Sequence, residues 1–293
     1  MFKKQTLKVN MYGYLFLLPA LIFLILFTYY PTLLSIHDSF YLKDNLRPEG
    51  AFVGLDNYKY LLQDDVFQKV LWNNLIFAIG TVPTSIMLAM FMAVKLNKVT
   101  RINQWMKTSY FYPTVIPLVA VANIWLFIYQ PDFGLYTRFA DFFGLPDIPW
   151  LQSELWVMPA MIILTIWKEA GFFMIFFLAG LQNIPNHIYE SASMEGASNG
   201  YVFRKLTFPL LMPTTLFVFI IALTNSVKTV DHIFVMTEGG PNNASNLILY
   251  YIYQNRFTFG DIGIAATASV ILIVVLLAIS LINFFVLDRK IHY

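Results

Sequence analysis

The chain has no cysteine. Disulfides, iron–sulfur clusters and thiolate zinc sites are therefore excluded, and the redox compartment is left open. Charge is also scarce. Only 12% of the 293 residues are Asp, Glu, Lys or Arg, about half the ~25% of an ordinary soluble domain. The formal net charge of +2 carries no nucleic-acid footprint. No G-x-x-x-x-G-K-[ST] stretch occurs, which excludes nucleotide binding through a P-loop. The four histidines, His37, His187, His232 and His292, lack a partner at i+4, so no metal site is expected. Long linkers, soluble domains, low-complexity tracts and close repeats are missing too.

What fills the chain is apolar: 58% of its residues are hydrophobic. A helix needs ~20 apolar residues to cross ~30 Å of hydrocarbon. Six runs qualify, near Tyr12–Ile36, Leu71–Val94, Thr108–Tyr129, Trp156–Leu178, Pro209–Asn225 and Gly263–Leu287. The fifth is short and is expected to continue past Asn225 through polar residues. The first follows Lys3, Lys4 and Lys8, but it is too long for a signal-peptide core and no small-x-small cleavage site follows it. The expectation is an all-α polytopic membrane protein with six spans, forming one domain over residues 1–293.

Basic residues near span ends give orientation. Lys3, Lys4 and Lys8, then Lys95, Lys98, Arg101 and Lys107, then Arg204 and Lys205, and finally Arg289 and Lys290 mark alternate loops. The intervening loops are mixed or acidic; Pro131–Leu155 has Arg138 against Asp132, Asp141, Asp147 and Glu154. This bias predicts that both termini and the loop after the fourth span are cytoplasmic. Outside, Gly54–Phe67 reads as a short amphipathic helix on the membrane surface. Gly239-Gly240-Pro241 is a strong turn signal.

The loop after the fourth span, Tyr189–Pro213, is too polar for lipid. Pro185 suits a first helical turn. Ile188, Ala192 and Glu195 share one face, with Glu190 on another. Gly196 breaks the helix, because only glycine enters the left-handed region cheaply. Ser198 suits the N-cap of a second short helix. Phe208, before Pro209, is expected to leave α geometry, so that the chain turns there.

Glu190, Ser191, Ala192, Gly196, Leu206, Phe208 and Pro209 resemble, in register, the EAA loop of bacterial ABC importer permeases. Ser191, Leu206 and Phe208 depart modestly from that pattern. LAGLQNIP (Leu178–Pro185), MTEGGPNNAS (Met236–Ser245) and YIYQNRF (Tyr251–Phe257) resemble the carbohydrate branch, as does the G-L-x-N-Y of Gly54–Tyr58. The C-terminal half looks similar to permeases for glycerol phosphate and oligosaccharides. The resemblance implies a type I ABC importer permease fold, with residues 71–287 as its core and 186–209 as the coupling loop. Glu190, Ser191, Ala192, Gly196, Ala197, Leu206 and Pro209 would form the contact with the ATPase. It also implies a second permease subunit, a dimer of cytoplasmic ATPase subunits carrying ATP and Mg, an external solute-binding protein, and a bacterial cytoplasmic membrane as location. The chain itself would bind no cofactor and be no enzyme.

Lys168 and Glu169 are the charges well inside a span, which makes them a functional hypothesis by default. They either balance each other on a polar bundle face or touch solute. Asn123, Lys168, Asn225 and Thr229 are the candidates for the solute path. Taken singly, Asn74, Thr81, Ser85, Asn123, Thr165, Asn225, Ser226, Thr267, Ser269 and Asn283 read as interhelical contacts rather than ligand contacts. Trp125, Tyr129 and Trp167 read as packing or interface residues, or as a stacking surface for a sugar. Pro83, Pro113 and Pro117 are expected to kink helices. A stand-alone secondary transporter is the alternative, but it lacks an inverted repeat and enough intramembrane acids. A membrane-embedded enzyme would have only the sparse pair Asp231 and Glu238.

Overall fold

A computed structural model describes residues 14–98 and 100–282. The expectations for Lys3, Lys4, Lys8, Asn283, Arg289, Lys290 and His292 lie outside the described residues. Among the described residues the regular structure is helical apart from one pair of two-residue strands, β1 (Tyr41–Leu42) against β2 (Ala51–Phe52), antiparallel with Tyr41 opposite Phe52. The chain falls into two compact units: the chain up to Gln63 with Ile252–Ile273, and Asp64–Tyr251 with the chain from Val274.

In the first unit, α1 (Tyr14–Asp38) is long and apolar enough to cross a membrane, and none of its apolar window is buried. The expected surface helix is shorter than its sequence window: α2 spans Asp56–Gln63. Asp64 is extended and accepts a hydrogen bond from the Phe67 N–H at 2.8 Å. It thus caps the next helix and ends the amphipathic one. The Asn57 side chain is buried and donates to the carbonyl oxygens of Ser39 and Tyr41, both at 3.0 Å. Tyr58 and Ser39 share a hydroxyl hydrogen bond at 2.8 Å. The Asn-Tyr pair thereby ties α2 to the end of α1.

The second unit is built on α3 (Asp65–Leu96) and α7 (Val157–Gln182), which pack along one another. Around them lie α4 (Arg101–Val115), α5 (Leu118–Ile128), α6 (Leu135–Phe143), α8 (Asn186–Met194), α9 (Asn199–Val202), α10 (Met212–Lys228), α11 (Asp231–Met236) and α12 (Ile248–Tyr253). One buried cluster joins Phe77, Val121, Tyr129, Trp150, Met161, Leu164 and Ile233. Another joins Val82, Ile86, Ala89, Phe173, Phe177, Leu211 and Val218. With lipid as solvent these clusters are held by close packing, because lipid tails are as apolar as the side chains they replace. The last helix, α13 (Ile262–Ile282), contains the described part of the sixth run.

Among the described residues five helical stretches are long and apolar enough to cross a membrane by themselves, and counting the bent pair α4 and α5 as one span gives six. This corrects the reading of Thr108–Tyr129 as one continuous span. The helices meet at 100°. Ile116 is extended, with φ −72° and ψ 131°, and Pro117 follows it. Pro83 and Pro113, in contrast, remain inside helices. The fifth run does continue beyond Asn225: Met212–Met236 passes as a span although it is interrupted between Lys228 and Asp231.

Candidate functional site

The polar loop after α7 forms two short helices joined by a tight bend. Pro185 is the residue before α8, with ψ 136°, rather than its first helical residue. Gly196 has φ +71°. Its N–H donates to the Ser193 carbonyl, and the Ala197 N–H donates to that of Ala192, both at 3.0 Å. This hydrogen-bond pair closes a helix end around a left-handed residue. The Ser198 hydroxyl oxygen then accepts from the Tyr201 N–H at 3.4 Å, starting α9.

Beyond α9 the chain does not turn at Phe208. A π-helical turn covers Phe203–Thr207, and Phe208 is itself helical, with φ −63° and ψ −46°. Its N–H bonds to the Phe203 carbonyl, which shifts the ladder by one residue and lets Pro209 follow within the first turn of a new helical segment. The turn comes at Leu211, where ψ is −3°.

The loop has two contrasting faces. Ala192 is buried, and Ile188, Tyr189 and Phe203 pack against the Phe173–Phe177 cluster. A hydroxyl hydrogen bond of 3.4 Å between Tyr189 and Thr207 joins the two limbs. Glu190, Ser191 and Pro209 are exposed, while Ala197 and Leu206 are half-buried. Met194 is 90% exposed, showing that the apolar outer side of the bend is uncovered.

The intramembrane polar residues form a second constellation. Lys168 Nζ donates to the carbonyl oxygens of Pro113 at 3.1 Å and Ile116 at 2.7 Å. These are carbonyls that the α4–α5 break leaves without a helical partner. The Thr114 hydroxyl returns a 3.2 Å hydrogen bond to the Lys168 carbonyl. Glu169 faces elsewhere: its Oε1 accepts from Asn225 Nδ2 at 3.2 Å. The Thr229 hydroxyl donates to the Asn225 carbonyl. Of the candidate path residues, Asn225 on α10 and Thr229 just after it are joined to each other and, through Glu169, to α7, whereas the Lys168 side chain turns to the α4–α5 break. Asn123 lies on α5, exposed, with its side chain turned onto the Val119 carbonyl. Edge contact between Trp125 and Trp167, 5.7 Å between ring centres, brings α5 beside the Lys168 region. Tyr129 is buried and donates to the Ala160 carbonyl.

Sequence reasoning missed Gly171 and Asn73. A side chain on Gly171 would collide with the Tyr110 carbonyl, so its absence lets α4 lie against α7. The signal was its position three residues after Lys168, on the same helix face. Asn73 donates to the carbonyls of Asn243 at 2.8 Å and Asn246 at 3.0 Å. One turn earlier, Lys69 reaches the Asn242 carbonyl at 2.7 Å and pairs with Glu154 at 3.4 Å. These contacts anchor the Gly-Gly-Pro loop, whose residues Glu238, Asn242 and Asn243 have positive φ. Thr81 and Thr165, by contrast, bond to the carbonyl four residues back in their own helices. His232 is buried beside Phe77, and among the described residues neither ring nitrogen has a hydrogen-bond partner.

Comparison with known proteins concerns the chain as a whole. The family model described as "Binding-protein-dependent transport system inner membrane component" matches residues 85–293. The chain is 33% identical over 272 residues to a probable ABC transporter permease, PH1215 of Pyrococcus horikoshii, covering 92% of this chain and 93% of that one. It is 29% identical over 281 residues to the sn-glycerol-3-phosphate transport system permease UgpA of Agrobacterium fabrum, covering 96% of each. A solved bacterial alginate ABC transporter in complex with an alginate pentasaccharide-bound periplasmic protein matches with TM-score 0.84 and 25% identity, over 95% of this chain and 94% of that one.

Proposed function

The chain belongs to the binding-protein-dependent transport system inner membrane component family, and from that premise we propose that it is the permease subunit through which a carbohydrate or glycerol phosphate crosses the membrane. It is a multi-pass transport subunit of an ABC importer and not the ATPase. ATP hydrolysis takes place on a dimer of separate cytoplasmic subunits, which hold ATP and Mg. A second, homologous permease completes the pathway, and an external binding protein delivers the solute. Both termini and the Glu190–Gly196 loop face the cytoplasm.

The observation that carries this reading is the two-faced loop. Its inner side, Ile188, Tyr189, Ala192 and Phe203, packs onto or toward the core. Its outer side presents Glu190 and Met194. Among the described residues no hydrogen bond or ion pair holds the Glu190 carboxylate. A partner gripping the outer side therefore pushes on a packed body rather than on a loose strand. An exposed apolar helix such as α1 supports residence in the membrane, since its side chains require apolar neighbours.

The test is reconstitution with the ATPase subunits, the second permease and the binding protein. Space around a Cβ at Gly196 is open, so substitution there strains the backbone by about 1–2 kcal/mol without a clash. Gly196→Asp is expected to insert and fold, yet lose solute uptake and the ATPase stimulation produced by loaded binding protein. Glu190→Ala is expected to show a milder loss of both. Full stimulation and uptake in Gly196→Asp would remove this loop from the coupling role.

A further inference from the structure

A groove of about 430 Å³ lies between the Lys95 end of α3 and the limb that follows α9. Met87, Met90, Phe91, Val94, Phe203 and Phe208 line it, and Lys95 is the one charged residue on its wall. Met87 and Phe91 are 64% and 60% exposed, so the groove opens outward rather than into the core. The Lys95 ammonium sits over the Phe91 ring, 5.8 Å from its centre, at the rim. Lys98 and Arg101 follow on the chain, and Arg204 follows Phe203. Neither segment 95–108 nor segment 196–208 contains an acid. Among the described residues no carboxylate pairs with Lys95, Lys98, Arg101 or Arg204.

From this combination we infer that the groove binds one acyl chain of an anionic phospholipid, with its phosphate against Lys95. Apart from Lys95 the lining side chains carry no hydrogen-bonding group, which does not suit a carbohydrate with its many hydroxyls. Its volume suits a single chain. The uncompensated Lys95 at its rim, with Lys98, Arg101 and Arg204 close to its lining residues in sequence, favours a negative headgroup over a zwitterionic one, at roughly 1 kcal/mol per Lys or Arg near a membrane surface. Lys95 closes a transmembrane helix, where headgroups lie. An ordinary lipid-facing surface would share the apolar wall but not the preference for charge.

The experiment uses the purified full-length chain and, separately, the assembled importer. Each is incubated in detergent with equal amounts of phosphatidylglycerol and phosphatidylcholine having the same acyl chains. Retained lipid is read by native mass spectrometry. Phosphatidylglycerol is expected to be retained several-fold over phosphatidylcholine in both samples. Lys95→Gln should lower its retention about fivefold and leave phosphatidylcholine unchanged. Val94→Trp, which fills the groove from its rim, should lower both. Equal retention of the two lipids by the unaltered chain overturns the proposal without recourse to any variant. So does retention of phosphatidylglycerol that Lys95→Gln does not change. Retention by the isolated chain that disappears in the assembled importer also overturns it, assigning the groove to a protein neighbour.

Discussion

The Lys168 ammonium donates to the Ile116 carbonyl oxygen at 2.7 Å, joining the middle of α7 to the point where the third span breaks. With its second bond, to Pro113, it acts as the C-terminal cap of α4. Cations suit that position because unpaired carbonyls give a helix C-terminus partial negative charge. Lys168→Met removes both donors and is expected to destabilise the purified chain by about 1–3 kcal/mol. Glu169→Gln should be close to neutral, because an amide oxygen still accepts from Asn225. Thermal unfolding in detergent separates the two. Equal losses would mean that the charges matter mainly to each other.

Gly171 makes a steric prediction on the same interface. Its hydrogen lies where a methyl group would strike the Tyr110 carbonyl, which is backbone and cannot swing aside. Gly171→Ala should force α4 away from α7, cost about 1–3 kcal/mol and weaken the Lys168 cap. Cross-linking of paired cysteines introduced on the outer faces of α4 and α7 should become slower. An unchanged rate and unchanged thermal midpoint would show that the contact is not tight.

Glu154 gives a pH dependence outside the spans. The hydrogen bond from Asn242, followed by that from Lys69 and its positive charge, lowers its pKa below the ordinary value of 4.5. A lowered folded-state value means that the ionised carboxyl stabilises the fold. That contribution is complete above the ordinary value, declines as the pH falls below it and is gone beneath the folded value. The difference in thermal midpoint between the unaltered chain and Glu154→Gln should therefore be greatest near neutrality and vanish in acid. It should be small, because Glu154 is exposed. A difference that grows on acidification would contradict this assignment.

Topology is open to a direct check. A reporter active only in the cytoplasm should work when fused after Lys98 or Ser198 and fail after Asp141 or Asn243. The basis is the placement of lysine and arginine. Activity at Asp141 with silence at Ser198 would reverse the proposed orientation.

Much of the fold was legible because hydrocarbon thickness imposes a length on apolar runs: α7 follows its run closely and α13 begins where its run does, while α3 starts six residues before Leu71. The polar loop after α7 was legible because its bend depends on local chemistry: glycine at 196 and serine at 198 act on their immediate neighbours. The break at Ile116 was not. Pro83, Pro113 and Pro117 look alike in sequence, and whether a proline kinks or breaks a span depends on what takes the freed carbonyls. Here Lys168 takes two of them from another helix. Phe208 failed for a related reason, since the preceding π turn rearranged the bonds that a proline normally disrupts. Asn73 was overlooked beside Asn74, yet Asn74 only bonds back to Val70, whereas Asn73 holds a distant loop.

The capped break also bears on how the protein is made. Lys168 is separated from Ile116 by 52 positions, so the ribosome delivers the acceptor before its donor. At ~5–20 residues per second, the interval is roughly 3–10 s. Throughout it, two carbonyl oxygens at the bend have no donor from their own chain, and lipid supplies none. Releasing the third span alone would leave both carbonyls unpaired in hydrocarbon, at several kcal/mol each, so the third and fourth spans are expected to leave the insertion machinery as a pair.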